Sequence, residues 1–180
     1  MTAHQGSERV ALLLRAVNVS GRNRVPMAEL RALLAERLGL TEVQTYIASG
    51  NVVCSPAVDP AAVRALIAAE FDVDTPVVLR THGELVRALA ENPFPDAASD
   101  RMLHALFLEA DPKAGALDVL AGRLQPGERA SLIGRDLWID FGTGGVHSSK
   151  LTTPVLDRAL GVAGTARNLR TVQKLVELTA

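Results

Sequence analysis

The sequence predicts an α+β protein of two ferredoxin-like βαββα halves, each with its sheet covered by helices on one face. Three observations predict it: short apolar runs of strand length, helix starts marked by proline, and a second run of the same order after a proline-rich break at residues 92–96. They divide the 180 residues into a disordered tail over 1–8, a first half over 9–80, a connecting helix and linker over 81–100, and a second half over 101–180.

The run 10–17 is short, apolar and bounded by polar turns, as a strand buried on both faces is. Pro26 at a first helical position, apolar residues Met27, Leu30, Leu34 and Leu38, and a terminal Gly39 predict the first helix. Residues 43–48 and 52–54 flank Ser49-Gly50-Asn51, a hairpin signal because Gly and Asn tolerate positive φ. Asp59-Pro60 opens a helix with the stripe Val63, Leu66, Ile67 and Phe71, and residues 76–80 form a further strand. Residues 81–90 read as a connecting helix, and Asn92-Pro93-Phe94-Pro95-Asp96 breaks the chain.

Beyond the break the order begins again. Residues 102–109 read as a strand, Asp111-Pro112 as a helix start, and 130–133 with 137–141 as a hairpin across Gly134-Arg135. Helices over 154–160 and 169–178 follow, so this half ends in a helix where a fourth strand would stand. The strands carrying Leu12-Leu13-Leu14 and Ala105-Leu106-Phe107-Leu108 are apolar on both faces, so the open faces are expected to be covered, by the other half or by a second copy of the chain.

Composition excludes several classes. Hydrophobic residues make up 48% and charged residues 22%, which is neither a disordered nor a membrane composition, and no run approaches the ~20 apolar residues of a span. Residues 1–8 hold no apolar leader segment, so the cytoplasm is the expected location and no membrane association is expected. The single cysteine, Cys54, reads as a small buried hydrophobe. No spacing among His4, His82, His104 and His147 suits a metal, and no cofactor is expected.

Charge is distributed unevenly along a chain of net charge −1. Arg9, Arg15, Arg22 and Arg24 fall in a segment without acids, and Lys150, Arg158, Arg167, Arg170 and Lys174 fall in a segment holding only Asp157. Two basic segments in a near-neutral chain suit an anionic ligand better than a general affinity for nucleic acid. Base stacking is also poorly served, because residues 52–54 lack an aromatic and Trp138 is the sole stacking candidate among six aromatic residues.

Four polar loops are the candidate chemistry: 15–23, 49–51, 142–150 and 165–171. Together they contain no Asp or Glu. The third runs from a strand through a glycine-rich turn to Lys150 and a helix, the order of a phosphate cradle, although Ser149 and Leu151 stand where a Walker A motif needs other residues. In the fourth, Asn168 is positioned to cap a helix whose free N–H groups, with Arg167 beside them, would hold an anion. Ser149 and His147 are the groups nearest to a nucleophile and base, and no triad is supported.

At these segments the chain resembles the family called domain of unknown function 1697. The carrying motifs are Leu14-Arg15-Ala16-Val17-Asn18-Val19, Val25-Pro26-Met27-Ala28-Glu29-Leu30, Tyr46-Ile47-Ala48-Ser49-Gly50-Asn51-Val52, Asn92-Pro93-Phe94, Ser149-Lys150-Leu151 and Thr165-Ala166-Arg167-Asn168. The resemblance implies a two-part α+β fold and assigns no activity. Ser20, Ala166 and Leu169 depart from the family's usual glycine, threonine and tryptophan.

The resulting expectation is a protein binding an anionic, phosphorylated small molecule in a groove between the halves. Arg15, Arg22, Lys150 and Arg167 would supply charge, and Asn18, Ser49, Asn51, Ser149, Asn168 and Thr171 would orient the ligand. An enzyme acting on a phosphorylated metabolite, and a protein or RNA interaction module that includes a homodimer, are the alternatives that the residues leave open.

Overall fold

The computed structural model describes residues 8–180, so the expected tail, with His4, lies outside the described residues except for Glu8. The chain divides into two compact units, one of Met1–Val86 with Leu175–Ala180 and the other of Arg87–Lys174.

The first unit runs β1 (Val10–Leu14), α1 (Met27–Leu38), β2 (Thr41–Tyr46), β3 (Asn51–Ser55), α2 (Pro60–Phe71) and β4 (Val77–Thr81), followed by α3 (His82–Ala90). Its sheet has the order β2-β3-β1-β4, with every neighbouring pair antiparallel. This is the split βαβ arrangement of a ferredoxin-like domain. Alternation along β1 sends Val10, Leu12 and Leu14 into a core with Leu30 and Leu34 of α1 and Val63 and Ile67 of α2. Asp59 starts α2 as expected, its carboxylate accepting from the Ala61 N–H at 2.9 Å with Pro60 in the first turn. Pro26 stands one residue outside α1, as its N-cap.

The expected strand over 10–17 stops at Leu14, because Ala16 turns into the left-handed region with φ 51°. Ala11 and Leu13 on the opposite face are 0% exposed. Those side chains are already buried within the single chain.

The second unit runs β5 (Leu103–Leu108), α4 (Ala116–Ala121), β6 (Arg129–Ile133), β7 (Asp136–Asp140), α5 (Thr153–Leu160) and β8 (Gly164–Asn168), and it takes in the start of α6 (Leu169–Thr179), whose residues from Leu175 onward are assigned to the first unit. Its order, β6-β7-β5-β8, repeats that of the first sheet. Two expectations are corrected. The fourth strand exists: the polar stretch 164–168, read as a loop, pairs along β5 from Leu108↔Gly164 to His104↔Asn168. Asp111-Pro112 does not open a helix; Gly115, in the left-handed region at φ 75°, precedes α4, and Asp111 instead pairs with Arg135 at 2.6 Å.

The repeat extends to single residues. Arg80 of β4 pairs with Ala11, and Arg167 of β8 pairs with Ala105. Both arginines are buried. The next residue in each case caps a helix: the Thr81 hydroxyl accepts from Glu84 N–H at 3.2 Å, and the Asn168 amide oxygen from Thr171 N–H at 3.0 Å. Each half is therefore βαββαβα. The proline-rich break is a pinned turn, in which the Arg129 guanidinium lies 4.5 Å over the Phe94 ring and binds Asp96 at 3.1 Å and Asp140 at 2.7 Å.

Candidate functional site

Two of the four polar loops meet at one end of the first sheet. The chain leaves β1 at Leu14, whose N–H donates to Gly50 O at 2.8 Å, so the 15–23 loop starts beside the β2–β3 hairpin. Asn18 then ties the two together. Its side-chain N–H groups donate to Val25 O and Ala48 O, both at 2.8 Å, and its amide oxygen accepts from Val25 N–H at 2.9 Å. Gly50 permits the approach: a Cβ there would lie 2.7 Å from both Leu14 Cβ and Val17 Cγ2.

The backbone of this corner is strained. Among the described residues, seven non-glycines have positive φ, and five of them, Ala16, Asn18, Ser20, Asn23 and Ile47, lie in these two loops. Asn tolerates that region, but Ala16 and the β-branched Ile47 carry no such excuse, and each costs roughly 1–2 kcal/mol there. Strain of this kind persists where surrounding structure imposes it and concentrates at functional positions. Around it stand Arg22, Arg24 and Ser49, all exposed, and Arg15, half-buried. Val19 and Ile47 are also exposed, at 50% and 52%. Asn51 is fully buried and donates to Tyr46 O at 2.9 Å, so it holds the hairpin. Asn18 likewise has both amide hydrogens occupied, which makes it a positioning residue for the loops.

The other two loops belong to the second unit. Both flank the end of its sheet where β5 begins: Phe141 N–H donates to Met102 O at 3.0 Å, and Leu169 N–H to Asp100 O at 3.1 Å. The glycine-rich loop contains a short 3-10 turn, Val146–Ser148. Ser148 donates to Gly144 O at 2.6 Å, and the Ser149 hydroxyl accepts from Leu151 N–H at 3.1 Å. Lys150 and His147 are exposed.

At the start of α6, where the sequence suggested an anion, two of the first N–H groups already have partners. Leu169 N–H is bonded to Asp100, Thr171 N–H to the Asn168 cap, and Thr171 itself is buried. Arg167 lies in β8 instead of a turn, and its guanidinium donates to Thr165 Oγ1 and Ala166 O, both at 2.7 Å. Burial brings it down to about 10.

A family model described as "Protein of unknown function (DUF1697)" matches residues 8–138. The chain belongs to the DUF1697 family. The match takes in every residue of the strained corner and ends before the glycine-rich loop. No curated protein matches the sequence. Among solved structures, the conserved bacterial protein SP0830 from Streptococcus pneumoniae is similar, with a TM-score of 0.70 and 25% identity over 96% of this chain and 99% of that one.

In this DUF1697 protein, Arg80 was not singled out by the sequence reading; it is a buried charge that follows the apolar run 77–79, and its guanidinium donates to Leu79 O at 3.1 Å. Trp138, the stacking candidate, is 0% exposed and cannot receive a base. Among the described residues no group of three or more His, Cys, Asp or Glu is placed to hold a metal ion. Nor is any helix among them long and apolar enough to cross a membrane.

Proposed function

We propose that this DUF1697 protein binds an anionic, phosphorylated small molecule at the end of its first sheet, in a cytoplasmic setting. The observation that carries the reading is the strained corner itself. Five left-handed non-glycine residues are held in two adjoining loops by Asn18 and Gly50, and the segment 15–24 brings Arg15, Arg22 and Arg24 there without an acid. Arginine forks suit phosphate oxygens, with the Ser49 hydroxyl and exposed Asn23 beside them to orient an ester.

Thermal unfolding with inorganic phosphate as the probe tests it. Phosphate at a hundredfold excess over its Kd stabilises the folded chain by about 2.7 kcal/mol. The R15A/R22A variant is expected to fold and to lose that response. An undiminished response would overturn the reading.

A further inference from the structure

We infer that the second unit carries a separate binding site for a small organic anion with a short aliphatic tail, in the cleft between α4 and α5. The cleft encloses about 240 Å³. Val119, Val155 and Ala159 supply apolar lining, and Lys113, Arg123 and Arg158 supply cations. Among the described residues, no acid lines it. Val119 is 59% exposed, an apolar side chain left open to water beside three positive charges.

The cleft is built by the local backbone. Lys113 N–H donates to Leu160 O at 2.8 Å, which ties the segment before α4 to the end of α5. Its side chain runs over Gly161, where a Cβ would come within 2.6 Å of Lys113 Cε and 2.8 Å of Cδ. Gly161, at φ 72°, thus makes room for the lysine stem as well as ending α5.

The chemistry of the lining selects the ligand. A bare phosphate would use the cations and leave the valines wet; a neutral chain would cover the valines and leave the cations unused. A monocarboxylate with an alkyl tail uses both. Pockets for drug-sized ligands measure roughly 300–1,000 Å³, so a cleft below that range takes a short chain.

Titration of the full chain with acetate, butyrate, hexanoate, hexanol and inorganic phosphate, followed by calorimetry and NMR, tests this. Hexanoate is expected to bind saturably and to move the signals of Val119 and Val155, with affinity rising about fourfold per methylene from acetate. Hexanol and phosphate are expected to bind there at least tenfold more weakly. R123Q/R158Q should weaken hexanoate at least tenfold, V119N should abolish the chain-length dependence, and R15A/R22A should bind hexanoate as wild type does. Absence of saturable hexanoate binding, or equal affinity in R123Q/R158Q, would overturn the inference and leave the phosphate reading untouched.

Discussion

The Asn18 side chain donates to Ala48 O across 2.8 Å, joining the loop after β1 to the β2–β3 hairpin thirty residues away. The same amide also bonds Val25 in both directions. Asn18→Ala removes three hydrogen bonds and leaves two carbonyls and an N–H to find water. It is expected to lower the unfolding free energy by about 2–3 kcal/mol in urea. Asn18→Asp should cost at least as much, since it sets a carboxylate against two carbonyls. Equal stability of wild type and Asn18→Ala would show that the clamp is dispensable.

Gly50 and Gly21 both have positive φ, 96° and 73°, but only Gly50 is also sterically enclosed. Gly50→Ala should destabilise by about 3 kcal/mol or more, because strain and overpacking act together. Gly21→Ala, with open space around it, should cost about 1 kcal/mol. Chemical denaturation of the two variants side by side measures the difference.

His104 packs edge-on against Phe141 with ring centres 5.1 Å apart, and it bonds Arg101 O through Nε2 at 2.9 Å. Burial lowers its pKa below the usual 6.5, so the folded state favours the neutral ring. The unfolded chain therefore binds a proton first as pH falls. The stability from this group is complete above 6.5 and declines below that value until the depressed folded pKa is reached. His104→Gln, which keeps a donor, should flatten this part of the pH–stability curve; an unchanged slope would assign it to other groups.

Cys54 is buried in β3, and desolvation pushes its thiol up to about 11. At pH 8 roughly one part in a thousand is thiolate, against about a quarter for a free cysteine. Labelling with an aromatic disulfide should be at least 100-fold slower in the native chain than in denaturant. Rapid native labelling would contradict the burial.

Much of the fold was legible, because apolar runs and Asp59-Pro60 obey local rules. The misses have a common physical cause. Asp111-Pro112 carries the same local signal as Asp59-Pro60, yet Gly115 and the bond from Lys113 to Leu160 place the helix start four residues later. The residues of β8, Gly164-Thr165-Ala166-Arg167-Asn168, have no apolar alternation; they are a strand because β5 offers a ladder some sixty residues away. At the site, the residue types of the first two loops were visible and their contact was not. Asn18 looked like a ligand contact, and only its three backbone partners reveal a brace. Arg167 looked exposed for the same reason that β8 looked like a loop.

The internal repeat has a consequence for its two decorated ends. Leu14 N–H bonds Gly50 O where Leu108 N–H bonds Arg135 O, so laying one half upon the other puts the β2–β3 hairpin onto the two-residue Gly134-Arg135 turn and the arginine-bearing 15–24 loop onto the segment after β5. The glycine-rich loop, in contrast, leaves from where β5 starts. The two polar loops therefore stand at non-equivalent positions of the repeated frame, and losing one should not be rescued by the other.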